Sequence, residues 1–238
     1  MSQTKKYLRR ANLRKMNDAR LWRWVHKHPI AGGMATFTPT QPAYRLYEDG
    51  TESGSSPIAN QDIPITRVVD SDSKVHIRMR VDETGGASGA TTDDWKLQFS
   101  TDGGSNFSDV TTTSTGVKVD TGSSLTDAAA TTDRAVNGIA NPGSGVFVAS
   151  QQEEGNGEIT NFQLTASNFT EMVFAVLFAT AEVSNGQVYL FRVVVNGSVL
   201  SVSTQPSITI SKTVTGGGRI FGSSCLIEGP LNTGRLAS

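Results

Sequence analysis

The stretch that decides the fold is residues 95–107, Trp-Lys-Leu-Gln-Phe-Ser-Thr-Asp-Gly-Gly-Ser-Asn-Phe. Apolar and polar residues alternate up to Phe99, which is the period of a β-strand with one buried face. A glycine-rich turn follows, and the chain then returns with Phe107. The pattern predicts one hairpin of a half-buried antiparallel sheet. It also favours Trp95, Leu97 and Phe99 as core residues over an exposed sugar-binding surface.

Further short strands are predicted on both sides of this hairpin. Residues 75–81 alternate most cleanly, and residues 172–179 form a nearly continuous apolar run that predicts a central strand. Asn196-Gly197 is a strong signal for a two-residue hairpin turn. The other predicted strands are residues 44–47, 63–69, 159–166, 187–195, 198–203 and 208–210. Residues 117–119 and 143–148 are candidates for two further short strands.

The order of these elements predicts the fold class. About nine strands with short turns and no alternating helices indicate an all-β chain, folded as an antiparallel β-sandwich of jelly-roll or immunoglobulin-like type. The sandwich is predicted over residues 44–214, after an extended linker at 31–43. Residues 215–238 are predicted to form a glycine-rich extended tail. The least regular part of the sandwich is residues 111–158, which contain long loops rich in Thr, Ser, Asp and Ala.

The chain begins with a basic arm, residues 1–30. It holds nine Lys or Arg residues and one acid, a formal charge of +8, whereas the remaining residues hold twelve basic and 21 acidic residues, a charge of −9. Residues 7–28 are rich in helix formers and are followed by Pro29, so the arm is predicted to be helical. Its apolar residues share no single stripe, and an isolated helix of this length is marginal in water. The arm therefore needs a partner surface, and a solvated flexible tail is the alternative.

A basic arm before an acidic body suggests contact with a negatively charged partner. One interpretation is nucleic-acid binding through counterion release. The other is docking on an acidic protein shell, with Trp22 and Trp24 buried as anchors and Arg residues paired to carboxylates. Docking is favoured because the tryptophans flank Arg23 and because the acidic body repels DNA. The predicted docking residues are Arg9, Arg10, Arg14, Lys15, Arg20, Trp22, Arg23 and Trp24.

Cysteine content and apolar runs exclude other protein classes. Cys225 is the single cysteine, so an internal disulfide is excluded. The sequence has no apolar run near the roughly 20 residues that span a bilayer. The basic N-terminus is not followed by an apolar segment, so a secretory signal is not expected.

Candidate metal ligands occur in small groups without the partners that a metal site needs. His26 and His28 lack nearby Cys or carboxylate ligands. Two oxygen-rich loops, Asp70-Ser71-Asp72 and Asp93-Asp94, are candidates for Ca²⁺ but lack the spacing of an EF-hand. Ordinary turn-forming acids are the favoured interpretation of both loops, and no metal or cofactor is predicted.

Candidate catalytic residues are equally isolated. Glu153-Glu154 could supply half of a glycosidase pair, but no second carboxylate can be nominated from the sequence. Residues 216–218 are three glycines without the Lys-Ser/Thr of a phosphate loop. His76 shares the polar face of its strand with Arg78 and Arg80, and His76 is predicted to be exposed there. No Ser-His-Asp or Cys-His arrangement can be argued, so no catalytic residue is predicted and the chain is not expected to be an enzyme.

Three segments frame about residues 44–212. They are residues 44–52 (Tyr-Arg-Leu-Tyr-Glu-Asp-Gly-Thr-Glu), residues 95–100 with the Gly103-Gly104 turn, and residues 189–197 (Tyr-Leu-Phe-Arg-Val-Val-Val-Asn-Gly) followed by Pro206. Together they resemble a β-sandwich module of tailed-phage structural proteins and of large surface proteins of aquatic bacteria. The basic arm is not part of that module.

The resemblance implies a virion component, most directly a bacteriophage capsid decoration (cement) protein. Its expected partners are the major capsid protein or other virion proteins, and it is expected to form a homo-oligomer within the assembly. Nucleic acid is a less favoured partner, and no membrane is expected. A neck, tail or fibre-associated protein whose sandwich binds a receptor or glycan is the alternative, and a glycan hydrolase is a third hypothesis.

Overall fold

A computed structural model of the chain describes residues 34–134 and 136–213. All the regular elements of these residues are β-strands, which confirms the predicted all-β class. No helix in this part of the chain is long and apolar enough to cross a membrane. The predicted helical arm at residues 1–30 and the predicted tail at 215–238 lie outside the described residues.

Thirteen strands form two sheets. In chain order they are β1 (Pro39–Tyr47), β2 (Ile65–Val68), β3 (Ser73–Glu83), β4 (Trp95–Ser100), β5 (Ser108–Asp109), β6 (Val117–Val119), β7 (Gln152–Glu153), β8 (Glu158–Ile159), β9 (Phe169–Phe178), β10 (Val188–Val195), β11 (Ser198–Val199), β12 (Ser201–Val202) and β13 (Ser207–Ser211). The six-stranded sheet has the order β12-β1-β3-β9-β6, with β7 also paired to β9. The seven-stranded sheet has the order β2-β13-β10-β4-β5, with β11 paired to β10 and β8 to β4.

The pairing of the strands corrects one part of the sequence prediction. Both sheets are mixed rather than antiparallel, because β12 runs parallel to β1, β2 parallel to β13, and β7 parallel to β9. These pairs join strands that are distant in sequence, which hairpin signals do not reveal. The strands with clear patterns do pair in an antiparallel manner, including β3 with β9 and β4 with β10.

The two sheets share one apolar core. Phe178 of β9 packs edge-on against Tyr189 and Phe191 of β10, with ring centroids 5.3 and 6.4 Å apart. Trp95 is fully buried, and its indole Nε1 donates a hydrogen bond to the carbonyl of Phe162 over 3.0 Å. Two sheets facing each other across a single core are consistent with a β-sandwich.

The hairpin at residues 95–107 is confirmed. β4 pairs with β5, Trp95 and Leu97 are buried, and Phe99 is partly buried against the core. The turn is held by Asp102, whose Oδ1 accepts hydrogen bonds from the amides of Ser105 and Asn106, each over 3.0 Å. The predicted turn at Asn196-Gly197 is confirmed as well, since it joins β10 to β11 with positive φ at both residues.

Several strand boundaries differ from those predicted. β1 begins at Pro39, inside the predicted linker, because it gains backbone partners from both β3 and β12. The predicted strand at 159–166 is reduced to β8, although Phe162 remains in the core through a turn. The predicted strand at 143–148 makes only an isolated bridge from Phe147 to Phe169.

Residues 120–134 and 136–157 are irregular apart from β7. They lie along the six-stranded sheet and cover its face that points away from the core. Leu125 packs there on Val173 and Ala175 of β9. The hydroxyl of Tyr47 on β1 donates to the carbonyl of Asn137 over 2.6 Å. The loops that were predicted to be long and irregular therefore lie against the sheet as a third layer, which is named the cover here.

Candidate functional site

A charged layer lies between the six-stranded sheet and the cover. β3 alternates as predicted, with Val75 and Ile77 in the core and His76 and Arg78 on the opposite face. The predicted exposure of His76 is wrong, since His76 and Arg78 are each only 1% exposed. Strand alternation distinguishes the two faces of β3, but it does not show whether the polar face is exposed or covered. In this protein the cover lies on the polar face. The layer consists of Asp49, Glu52, Lys74, His76, Arg78, Asp120, Thr132 and Glu171.

Arg78 is the centre of this layer. Its Nε donates to Glu171 of β9, its Nη2 donates to the carbonyl of Thr132, and its Nη1 donates to Glu52 over 2.6 Å. The side chains of Glu171 and Glu52 are 0% and 7% exposed. A guanidinium remains charged when buried, so it requires such partners. All three nitrogen groups of Arg78 are thus used within the protein.

Burial affects the two carboxylates differently. Burial raises the pKa of Glu171, although the neighbouring charge of Arg78 opposes this shift. Burial also acts to raise the pKa of Glu52, but hydrogen bonds from Arg78 and Thr132 outweigh it and hold that pKa below its usual value. Glu52 accepts from the amide and the hydroxyl of Thr132 over 3.1 and 2.8 Å, and it therefore connects the sheet to the cover.

A second cluster lies beside Arg78 on the same face. His76 Nε2 lies 3.2 Å from Oδ1 of Asp49, and burial lowers the histidine pKa while Asp49 opposes the shift. Neither ring nitrogen has a hydrogen-bond partner of good geometry within the described residues. Lys74 lies 3.0 Å from Asp120, and the amide of Ser124 donates to Asp49 over 2.9 Å. These contacts fasten the first part of the cover to β3.

The acids considered as candidates for Ca²⁺ accept hydrogen bonds from the polypeptide. Asp70 accepts from Thr213, and Asp72 accepts from the amide of Thr180. Asp93 accepts from the Ala90 amide and the Asn196 side chain, and Asp94 accepts from the Asn161 amide. No group of three or more potential metal ligands occurs among residues 34–134 and 136–213. The pair His26 and His28, and the glycines at 216–218, lie outside the part of the chain that the structure describes.

The candidate glycosidase acids lie in the cover. The Glu153 side chain is buried and accepts from three successive amides, those of residues 155, 156 and 157, over 2.9, 2.6 and 2.8 Å. Glu154 accepts from the hydroxyl of Ser123 over 2.7 Å. Both carboxylates therefore hold turns of the cover in place.

Two open clefts lie on the surface of the described body. One, of about 330 Å³, is lined by Lys96 and Gln98 on the outer face of β4 and by Glu158 of β8. Lys96 Nζ lies 3.4 Å from Glu158 and 3.8 Å from Asp109. The other cleft, of about 400 Å³, lies beside Phe37 and is more apolar.

The predicted docking residues between Arg9 and Trp24 lie outside the described residues, so their role stays a prediction. A comparison with protein-family models, curated proteins and solved structures finds no match for this chain.

The charged layer was missed by the sequence interpretation. Glu52, Arg78 and Glu171 are 26 and 93 residues apart along the chain, so no local spacing brings them together. One signal was available, because Glu171 stands directly before a long apolar run and Arg78 lies in the middle of the most regular strand. Charges at such positions indicate either a solvated face or a buried pair.

Proposed function

We propose that the chain is a virion structural protein, and specifically a capsid decoration (cement) protein. Its β-body, a sandwich of jelly-roll or immunoglobulin-like type, lies on the particle surface, and its termini dock on the shell and on neighbouring subunits. The observation that carries this proposal is the separation of charge along the chain. Residues 34–213 contain ten basic and twenty acidic residues, whereas the arm at 1–30 has a formal charge of +8.

The contacts within the body support this use of the arm. Several basic residues of the body are paired inside it, including Arg67 with Glu48, Lys74 with Asp120 and Lys118 with Glu182. The body therefore offers few free cations to an acidic partner, and the nine cations of the arm are the source of such contacts. The negatively charged body also repels nucleic acid, which carries the same sign of charge.

Docking by many copies makes a strong single contact unnecessary. The helical arm supplies Trp22 and Trp24 as buried anchors, and the arginines pair with carboxylates of the major capsid protein or another virion protein. Neighbouring copies on the shell form a homo-oligomer within the assembly, and each added interface contributes to the stability of the particle. The resemblance of residues 44–212 to a module of tailed-phage structural proteins agrees with this location in the virion.

Deletion of residues 1–30 tests the proposal. The shortened protein and the full chain are added separately to particles that lack the protein, and the bound fraction is measured by sedimentation. We expect the shortened protein to stay folded, as judged by circular dichroism, and to lose binding. Normal binding without the arm overturns the proposal.

Two variants of the full chain distinguish a protein partner from nucleic acid. Trp22→Ala with Trp24→Ala removes the anchors and keeps every charge, whereas Arg9→Gln, Arg10→Gln and Arg14→Gln remove three charges and keep the anchors. Docking on protein predicts that the tryptophan variant loses binding at least as strongly as the arginine variant. If the arm binds nucleic acid, the arginine variant should lose binding. The affinity should then also depend less on salt concentration with each charge that is removed.

One observation favours a second function, a fibre-associated protein that binds a glycan. The cleft on the outer face of β4 is lined by polar side chains, among them Gln98 and Asn196. A sugar bound there would compete for the hydrogen bonds that Gln98 makes with Asp109 and that Asn196 makes with Asp93. A glycan array tests it with Gln98→Ala as the control variant. Binding that is lost in this variant supports the function, and an array without hits contradicts it.

A further inference from the structure

The chain contains four Asn-Gly pairs, which begin at Asn137, Asn156, Asn185 and Asn196, and all of them lie within the described residues. In such a pair the glycine amide nitrogen can attack the side-chain carbonyl carbon of the asparagine, because no Cβ on the glycine hinders the approach. The attack closes a succinimide ring and releases ammonia. Water then opens the ring, which gives aspartate or isoaspartate.

Hydrogen bonds hold the asparagine side chain in three of these pairs. In each of the three, the side-chain Oδ1 accepts from a backbone amide over 2.8 or 2.9 Å. The donors are Glu158 for Asn156, Lys212 for Asn185 and Asp94 for Asn196. Each of these side chains must leave its partner before its carbonyl carbon can be attacked.

A second hydrogen bond restrains each of the same three pairs. The attacking amide of Gly157 donates to the buried Glu153 over 2.8 Å, and that of Gly186 donates to a carbonyl of β13 over 2.8 Å. At the third pair, Nδ2 of Asn196 donates to Asp93 over 2.8 Å. The reaction therefore requires at least two hydrogen bonds to break at each of these sites.

Asn137 lacks these restraints. Its side chain is exposed and makes no hydrogen bond to residues 34–134 or 136–213, and neither does the amide of Gly138. The side chain is therefore free to rotate toward that amide. The neighbouring carbonyls are held instead, since the hydroxyl of Tyr47 donates to the carbonyl of Asn137 over 2.6 Å and Nη1 of Arg45 donates to that of Gly138 over 2.8 Å.

The hydroxyl of Tyr47 also favours the attack. The nitrogen of Gly138 reacts after it loses its proton, and the negative charge then spreads onto the carbonyl oxygen of Asn137, which belongs to the same peptide group. Tyr47 donates to this oxygen, so its hydroxyl stabilises the charge as it develops. The guanidinium of Arg134 lies 4.7 Å from the centroid of the Tyr47 ring and adds a positive charge nearby.

We propose that Asn137-Gly138 is a site at which the protein modifies itself, through a succinimide, to aspartate or isoaspartate. The nitrogen of Gly138 bonds to Cγ of Asn137, and Nδ2 leaves as ammonia with the proton of the Gly138 amide. Hydrolysis adds one negative charge to the cover, beside Arg45. Isoaspartate also converts the Asn137 carbonyl, the acceptor of Tyr47, into a free carboxylate. This assignment is independent of the function proposed above.

Peptide mapping by mass spectrometry, after incubation at mildly alkaline pH, tests the site. In the folded full-length protein, Asn137 should convert at least about tenfold faster than each of the other three asparagines, because their hydrogen bonds must first break. In the urea-unfolded chain all four should convert at similar rates, since each is followed by glycine. Heavy-oxygen water should leave its label in the new carboxylate. Equal rates at the four sites in the folded protein overturn the proposal.

A conservative substitution tests the role of the hydroxyl separately. Tyr47→Phe keeps the buried ring and removes only the hydroxyl, so conversion of Asn137 in the folded protein should slow at least about tenfold. The rate in urea should not change. Asn185 is the internal control, and its rate should be the same in the wild type and in the variant. An unchanged or higher rate at Asn137 in folded Tyr47→Phe contradicts the role of the hydroxyl.

Discussion

Arg78 shows how a single charged residue organises one face of the body. An unpaired guanidinium is very costly to bury, but here it holds two carboxylates and one carbonyl from separate parts of the chain. The network stabilises the body only while it is complete, since removing one partner leaves the other charges buried and uncompensated. Its role is therefore to fix where the cover lies on the sheet.

Replacement of this arginine is expected to be strongly destabilising. Arg78→Met leaves Glu171 and Glu52 without their cation, and we expect the free energy of unfolding to fall by about 3–5 kcal/mol. Lys96→Met is the matched control, because Lys96 makes exposed contacts with Glu158 and Asp109 that contribute at most about 1 kcal/mol. Urea denaturation measures both changes.

Similar stability of the Arg78 and Lys96 variants contradicts the importance of the network. A third variant, in which Arg78→Met is combined with Glu52→Gln and Glu171→Met, removes the charges together. It should recover part of the loss, since a buried ion network can be replaced by apolar groups at little cost.

His76 is expected to make stability depend on pH. Burial lowers its pKa in the folded state below the value of about 6.5 in an unfolded chain. The unfolded chain therefore binds a proton first as the pH falls, and stability decreases below about pH 6.5, by at most about 1.4 kcal/mol per pH unit for one proton. His76→Gln should show a smaller loss of stability between about pH 7.5 and 5.5. Urea denaturation measures these losses, and an equal loss of stability in the wild type and in His76→Gln over this pH range contradicts the role of His76.

At the residue scale, the sequence predicts the core better than the charged layer. Trp95 and Leu97 were expected in the core because alternation and side-chain size agree, and both are buried. His76 was expected at the surface because the same alternation places it, with Arg78, on the other face. The difference lies in the cover, whose position depends on contacts between residues far apart in the chain.

Among the elements, the turn that ends at Gly157 connects the cover to the seven-stranded sheet. Its φ is +86°, and a Cβ atom there would lie 2.1 Å from the carbonyl oxygen of Val110. The Gly157 carbonyl also accepts from the amide of Leu97 over 3.3 Å, beside the central hairpin. The close backbone approach requires glycine at this position.

Gly157→Ala is expected to destabilise the protein more than Gly186→Ala. Both glycines have positive φ, at +86° and +78°, but a Cβ at Gly186 meets no atom within 4 Å. Because both positions share the backbone strain, the difference between the two losses in unfolding free energy reports the contact with Val110 alone. Thermal unfolding should show a difference of about 1–3 kcal/mol. Equal effects of the two substitutions contradict the close approach.

Elements with a strong local pattern were predictable, and the others were not. β4, β9 and β10 were expected from alternation or a continuous apolar run, and the Asn196-Gly197 turn follows from its φ preference. The predicted strand at 198–203 is divided into β11, which pairs with β10 across that turn, and β12, which pairs with β1 of the other sheet. The two-residue strand β7 carries no periodic signal. The parallel pairs, and with them the mixed sheets, could not be predicted because they join strands that are distant in sequence.

For the whole molecule, the charge separation follows directly from composition. The basic arm precedes a body in which acids outnumber basic residues by twenty to ten. Composition does not identify the surface that the arm contacts, because that surface belongs to another molecule. The proposed docking therefore depends on which molecules surround the chain in its assembly.

A cryo-electron microscopy reconstruction of particles that carry the protein tests this claim most directly. We expect copies at threefold or sixfold positions across the shell, with the β-body outside and residues 1–30 in contact with shell protein. Trp22 and Trp24 should be buried in that contact. A ring of copies at a single vertex, or an arm in contact with the genome, contradicts docking on the shell.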